Sequence, residues 1–167
     1  MTRRSRTFAL GVVAAGLLGA TVLFAEEAAK PSAHVMYTGG DLKWGDGPAS
    51  LPPGAKAAAL EGNPKDAGLF TMRLKLPANY KVSPHWHPAD EHVTVISGTF
   101  YMGMGDKFDE ASVKELPAGS FVVMPTKQTH FAMTKGETVV QLHGMGPWGI
   151  NYVNPADDPR NKAAAKK

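Results

Sequence analysis

The sequence contains no cysteine among its 167 residues. This absence excludes disulfide bonds, thiolate metal ligands, a cysteine nucleophile and a lipid-modified cysteine anchor. A domain without disulfides must be stabilised by its hydrophobic core, and a chain of this length can bury one such core. Internal repeats are absent as well. We therefore expect one core-stabilised domain.

A basic patch interleaved with aromatic residues is also absent, although the chain has 18 Lys and Arg against 15 Asp and Glu. The excess lies in Arg3, Arg4 and Arg6, which precede an apolar run from Phe8 to Phe24. This layout is typical of a secretory signal peptide, and Ala25 is a suitable cleavage point. The alternative is an uncleaved membrane anchor, although the run falls short of the ~20 apolar residues needed to span a bilayer.

Without residues 1–25, the chain keeps 15 basic and 15 acidic residues. We therefore predict a periplasmic or secreted protein that is not attached to a membrane after cleavage and does not bind nucleic acid. Residues 26–40 are expected to form a flexible lead-in. The charged segment 155–167 is expected to be a disordered tail.

The chain has no helix-period segment of useful length. Phe70, Met72, Leu74 and Leu76 alternate with polar residues, which is the pattern of a half-buried strand. About eight or nine such short strands, with turn signals roughly every 8–12 residues, predict an all-β sandwich or barrel over residues 41–154.

Four local segments carry more specific expectations. Residues 41–44 are expected to be a short strand. Residues 56–61 are alanine-rich but lie between two turns, which favours a strand over a helix too short to be stable alone. Ser97-Gly98 is expected to be a hairpin turn or bulge. Residues 109–114 could hold one helical turn.

The stretch from His85 to Glu91 collects side chains that bind metals. In a strand, His85 and His87 point to the same face. Pro88 prevents a regular paired strand from continuing, so the chain should turn and bring Glu91 towards the histidines. Two imidazoles and one carboxylate suit a divalent first-row metal with open coordination positions. His130, at the start of a later strand, could supply a fourth ligand.

These residues and their spacing resemble the two motifs of the cupin superfamily. The first motif is His85-x-His87-x3-Glu91-x6-Gly98, and the second is Gly119-x5-Pro125-x4-His130. The resemblance covers residues 69–143 and implies a double-stranded β-helix, the cupin or jelly-roll barrel. It also implies a divalent transition metal, commonly Fe, Mn, Zn, Ni or Cu in that superfamily, bound by the three histidines and Glu91.

Three positions depart from the superfamily pattern. Asn79 replaces a glycine before the first motif, Lys127 replaces a glycine within the second, and Thr134 stands where Asn is common. All four metal-ligand positions are kept. Asn tolerates a left-handed backbone better than other non-Gly residues, so we expect the turn at Asn79 to survive.

An enzyme would also need a general acid or base beside the metal. The candidates are His143, Asp90, Tyr101 and His92, and each also has an ordinary surface or packing explanation. His143 shares a strand face with Gln141 and could line the pocket. His92 is expected to face away from the site by strand alternation.

Three functions stay open at this point. The chain could be a metal-dependent enzyme of dioxygenase, isomerase, lyase or decarboxylase type that acts on a small molecule. It could instead bind a metal or a small-molecule ligand without turnover, or serve as a structural barrel, which the complete ligand set disfavours. Pairing as a homodimer is common among cupins and is compatible with the near-neutral charge.

Overall fold

The computed structural model describes residues 34–164. The expected signal peptide and residues 26–33 of the expected lead-in lie outside the described residues. Within the described part, no helix is long and apolar enough to cross a membrane.

Six of the strands form one antiparallel sheet. They are Gly45–Asp46 (β1), Lys56–Glu61 (β2), Gly68–Leu76 (β3), Glu91–Ser97 (β5), Phe121–Met124 (β8) and Thr138–Gly146 (β10). Their spatial order is β1-β2-β3-β10-β5-β8. The strand expected at residues 56–61 is therefore confirmed.

Five further strands form the second antiparallel sheet. They are Lys81–Trp86 (β4), Thr99–Met104 (β6), Lys114–Pro117 (β7), His130–Thr134 (β9) and Asn151–Tyr152 (β11). Their spatial order is β11-β4-β9-β6-β7. Single 3₁₀ turns lie at Gly39–Asp41, Glu110–Ser112 and Pro155–Asp157, and Pro159–Ala164 forms one short helix (α1). The expected helical turn near residue 110 is confirmed. The described part of the chain is an all-β jelly roll.

The hydrophobic core lies between the two sheets. It is formed by apolar side chains at alternate positions along the strands, which point inward. On β3, Phe70, Met72, Leu74 and Leu76 are all at most 5% exposed, as the sequence pattern predicts. Leu74 pairs in register with Val140 of β10, which is also buried. Burying a side chain of this kind contributes roughly 1.5–3 kcal/mol each. This apolar frame fixes which face of each strand points to the interior.

One local expectation is wrong and another is half right. Residues 41–44 contain no strand, because the chain forms the 3₁₀ turn Gly39–Asp41 and pairs only at β1. Ser97-Gly98 is not a hairpin, because β5 and β6 belong to different sheets, but the pairing of β5 with β10 does have a bulge or irregularity between Val95 and Ser97. Gly98 has φ +75°, and a Cβ there would lie 2.4 Å from the Glu137 carbonyl oxygen. Only glycine fits this corner between the sheets.

Residues 155–164, expected to be disordered, instead form a 3₁₀ turn and α1. The Asn154 side chain caps the turn by accepting the Ala156 N–H at 3.1 Å. The Arg160 guanidinium pairs with Asp158 and also donates to the Ile150 carbonyl at 3.0 Å. The charged composition predicted disorder here. Specific hydrogen bonds instead offset the chain entropy that is lost when the segment becomes ordered.

Candidate metal centre

Three histidines from one sheet meet at one end of the barrel. His85 on β4 pairs directly across the ladder with His130 on β9, and His87 follows the end of β4. One ring nitrogen of each lies within 4.8 Å of those of the other two. All three are buried, with His87 and His130 each 1% exposed. The sequence prediction that His85 and His87 share a face is confirmed.

The Nδ1 atom of each imidazole is hydrogen-bonded to a backbone carbonyl. The pairs are His85 with Ser83 at 2.8 Å, His87 with Gly149 at 2.8 Å and His130 with Gln128 at 3.0 Å. A carbonyl only accepts, so each Nδ1 carries the hydrogen and donates it. The Nε2 atoms are left for another partner, which is the arrangement found for metal-binding histidines.

Glu91 opens β5 of the other sheet and brings its carboxylate to the same place. It is 5% exposed, and its Oε2 lies 3.4 Å from His87 Nε2 and 3.8 Å from His130 Nε2. Burial favours the neutral acid, but the adjacent imidazoles, His87 foremost, hold the pKa of Glu91 below its ordinary value. The carboxylate is therefore charged inside an apolar barrel, and a positive charge beside it offsets the unfavourable burial. Protonated His87 supplies that charge in the metal-free protein, and a bound metal ion would supply it in place of the proton.

The imidazoles differ in their protonation. Burial opposes a charge on His87, but the Glu91 carboxylate outweighs it and raises the pKa of His87 above the ordinary value. Burial, together with the neighbouring His130 and His87, lowers the pKa of His85 to about 3. Burial likewise lowers the pKa of His130, against the attraction of Glu91. Two of the three imidazoles are thus neutral, which is the metal-binding form.

These four residues line a small cavity of about 40 Å³. Its other walls are apolar or aromatic and come from both sheets, from the loop between β1 and β2 and from the segment after β10: Leu51, Leu74, Leu76, Val82, Val93, Phe100, Met102, Ala132, Val140, Leu142, Trp148 and Ile150. The Trp148 ring stacks on the His87 ring, with centroids 4.7 Å apart and planes 19° from parallel. The cavity is therefore narrow and mostly apolar.

The donor set fits a divalent transition metal. His87 Nε2 is buried and makes no well-formed hydrogen bond among the described residues, since the Glu91 carboxylate beside it lies 3.4 Å away. A buried polar atom left unpaired in this way is costly and calls for a partner. A cation bound jointly by the three imidazole nitrogens and the buried carboxylate would be that partner. The three histidines could hold a metal ion.

A family model described as the ChrR cupin-like domain matches residues 32–149. The chain belongs to this cupin family. No curated protein matches the sequence significantly.

Solved structures share the fold of this cupin at low identity. The polyketide cyclase RemF from Streptomyces resistomycificus is 16% identical over 79% of this chain and 94% of its own, with a TM-score of 0.60. A protein from Methylibium petroleiphilum PM1, provisionally assigned as an acetylacetone dioxygenase, is 18% identical over 81% and 96%, with a TM-score of 0.57. An RmlC-like cupin from Shewanella frigidimarina is 18% identical over 68% and 91%, with a TM-score of 0.52.

Asn79 and Lys127, which replace glycines of the cupin pattern, keep the left-handed backbone conformation that glycine favours. Asn79 has φ +57° and Lys127 has φ +63°, so both adopt the left-handed backbone. The Lys127 N–H donates to the His87 carbonyl at 2.9 Å and so ties the second motif to the first. Thr134 Oγ1 donates to the Pro77 carbonyl at 2.6 Å and accepts the Tyr80 N–H at 3.2 Å. The turns therefore survive the substitutions.

The structure does not bring His143 to the cavity. Val140 and Leu142 are the inward residues of β10, so alternation turns His143 to the outer face of the sheet. There it lies opposite His92 of β5, and the two rings stack with centroids 4.8 Å apart. His92 faces away from the site, as expected. The idea that His143 lines the pocket is wrong.

Asp90 and Tyr101 also lie outside the cavity. Asp90 is exposed, and its carboxylate accepts the backbone N–H of Thr126 at 2.7 Å and its hydroxyl at 2.8 Å. The Tyr101 ring lies beneath the Lys135 ammonium, 4.6 Å from its centroid. The residues that line the cavity therefore include no titratable group besides the three histidines and Glu91.

The sequence interpretation missed Trp148 and Ile150 as walls of the site. Both lie in a segment rich in Gly and Pro that follows β10, and this composition indicated only a turn. A bulky indole between Gly and Pro residues was the available signal. It did not reveal which cavity the segment would close.

Proposed function

We propose that this cupin binds a divalent first-row transition metal, Fe, Mn, Zn, Ni or Cu, through His85, His87, His130 and Glu91. The observation that carries the proposal is the orientation of the three imidazoles. Each of their Nδ1–H groups donates a hydrogen bond to a backbone carbonyl. Their Nε2 atoms can then act together as ligands. When bound, the metal would supply Lewis-acid or redox chemistry at its open positions.

The protein's own residues would bind and shield that metal. Glu91 would neutralise one of its positive charges, and the apolar walls would exclude bulk water from the chamber. Excluding water strengthens the electrostatic interactions inside. Because the cavity measures only about 40 Å³, the small-molecule partner that we propose has only a few non-hydrogen atoms inside the chamber.

The chamber supports a binding role better than turnover of a large organic substrate. No acid or base other than the metal-binding set lines it, whereas most enzymes place such a group beside the reacting atom. The cyclase and dioxygenase among the structural neighbours keep a metal-dependent enzyme as the second candidate. An oxygen-consumption assay over catechols, flavonols and diketones would test it, and turnover of any of these would favour the enzyme.

Elemental analysis of the purified protein tests the metal proposal directly. We expect about one equivalent of transition metal after reconstitution, and its loss in His87→Ala and Glu91→Ala. His143→Ala is the matched control, because His143 is a strand histidine outside the cavity. A wild-type protein that retains no metal and takes none up would refute the proposal.

We also propose that the chain is exported to the periplasm or secreted, on the basis of its basic and apolar amino-terminal segment. Mass spectrometry of protein isolated from its native compartment tests this. A mature chain that begins at Glu26 would support cleavage after Ala25. An intact segment in a cytoplasmic fraction would contradict export.

A further inference from the structure

Trp148 holds a buried hydrogen-bond donor that has no partner. The residue is 8% exposed, and its Nε1–H finds no acceptor among the described residues. A buried N–H is rarely left unpaired in a folded protein, because its desolvation is not repaid. This donor therefore needs an explanation beyond packing.

The indole is held in place beside the metal centre. Its ring stacks on His87 at 4.7 Å and packs against Phe70 at 5.6 Å. Its backbone N–H donates to the Pro64 carbonyl at 2.6 Å. Trp148 is thus held by two aromatic contacts and by its main chain, which is how a group that recognises a ligand is preorganised.

Trp148 is also distinctive among the side chains that line the chamber. The three histidines donate their Nδ1–H groups to backbone carbonyls. Glu91, when ionised, only accepts hydrogen bonds. The remaining lining residues are apolar. Once the imidazoles bind a metal through Nε2, the indole is the lining side chain with an unused N–H.

The volume of the chamber limits what that donor can meet. A water molecule needs roughly 10–15 Å³ of such space, and the chamber offers about 40 Å³. With a metal ion in place, room remains for a ligand of roughly two or three non-hydrogen atoms. A ligand that receives an N–H must present a lone pair.

We propose that Trp148 is the specificity-determining donor of this chamber and that its Nε1–H binds a small hydrogen-bond acceptor, a diatomic or triatomic molecule or anion. The acceptor sits beside His87, next to the metal. The inference rests on the proposed metal site and adds to it the class of ligand. A buried donor among apolar walls selects such acceptors against apolar molecules of the same size.

Azide is a suitable probe, because it is a linear triatomic anion that binds transition metals and accepts hydrogen bonds. The full chain, labelled with ¹⁵N and loaded with diamagnetic Zn²⁺, gives indole N–H resonances for its three tryptophans. We expect the Trp148 resonance to shift as azide saturates the protein, while that of Trp44, which lies against Lys75, does not. Azide binding without a shift at Trp148, or no azide binding to the metal-loaded protein, would overturn the inference.

Trp148→Phe provides the second measurement, because phenylalanine keeps an aromatic ring against His87 and lacks the donor. The Kd for azide, measured on Cu²⁺-loaded protein by its charge-transfer absorption, should rise roughly tenfold, as expected for losing a hydrogen bond to a charged group. The Trp44→Phe control should bind azide as the wild type does, within about twofold. Wild-type azide affinity in Trp148→Phe would overturn the proposal.

The two proposals can fail separately. Metal content is measured on each variant before azide is added. A wild-type protein without metal refutes the metal site and the azide site together. A metal-loaded protein whose azide affinity is the same in wild type and Trp148→Phe refutes only the role of the indole. Displacement of azide by benzoate, which is too large for the chamber, would overturn the size limit.

Discussion

Replacing Glu91 by glutamine removes a buried charge from the centre while keeping the shape of the side chain. The carboxylate lies 3.4 Å from His87 Nε2 and raises the pKa of that histidine. Without the charge, burial is the main remaining influence on His87, and its pKa should fall below the ordinary value of about 6.5. The substitution therefore changes both the affinity for metal and its dependence on pH.

The size of the effect on affinity follows from two opposing terms. Opposite unit charges about 4 Å apart attract each other by roughly 4 kcal/mol at an effective dielectric constant of about 20. Part of this gain is offset, because a buried carboxylate has lost its hydration. A net loss of about 2–3 kcal/mol, or roughly a hundredfold weaker metal binding, is expected for Glu91→Gln.

The pH dependence has a definite sign. In the metal-free wild type, His87 is protonated below its raised pKa, and a metal must displace that proton. Metal affinity should therefore fall about tenfold for each pH unit below that pKa and be level above it. In Glu91→Gln the pKa is lowered, so the affinity should stay level across the same interval.

Titration calorimetry in buffers of different ionisation enthalpy counts the protons released on metal binding. At about pH 6, we expect roughly one proton from the wild type and almost none from Glu91→Gln. Asp90→Asn is the matched control, because Asp90 is the adjacent carboxylate and is exposed. Equal proton release in wild type and Glu91→Gln, or an unchanged affinity, would refute the role assigned to Glu91.

Three further changes test the frame around the site. His143→Ala should leave metal content unchanged by elemental analysis, and loss of the metal would show that the outer histidine contributes. Gly103→Ala should destabilise the fold by about 1–3 kcal/mol, because the new Cβ would lie 2.2 Å from Phe131 Cζ. Thermal unfolding measures this, and Gly136→Ala, with open space at its Cβ, should have no comparable effect. In Lys127→Gly, the steric cost of a left-handed backbone at a residue with a Cβ, about 1–2 kcal/mol, is removed. Glycine also raises the conformational entropy of the unfolded chain, which destabilises the fold by about 0.5–1 kcal/mol. Urea unfolding should therefore show a stabilisation of up to about 1.5 kcal/mol, and a marked loss would contradict this.

The barrel could be predicted because its strands obey local rules. On β3, alternation alone separates Phe70, Met72 and Leu74, which are buried, from their outward neighbours. His85 and His87 share a face for the same reason, and the resemblance to cupins added His130 and Glu91. The family match and the structural neighbours confirm the superfamily and the all-β fold.

Alternation could not show which strands share a sheet or which segment closes the cavity. The corner at Gly98 joins two sheets, and its steric cause is the Glu137 carbonyl, 39 residues away along the chain. His143 was misplaced although its neighbours Val140 and Leu142 already marked the inward face of β10. Trp148 reaches the site only through a long-range fold-back of the segment after β10. Contacts of this kind depend on tertiary packing, which a sequence pattern does not record.

The same division between local and long-range contacts runs through the metal centre itself. His85 and His130 are oriented by the chain directly before them, because each Nδ1–H donates to the carbonyl of the residue two positions earlier. His87 instead depends on Gly149, 62 residues later in the chain. Its ring is fixed only when the segment that carries Trp148 and Gly149 docks. A metal that needs all three imidazoles must therefore favour the docked segment, and by reciprocity the docked segment must favour the metal. The closing segment is thus part of the proposed metal centre, although it supplies none of the proposed ligands.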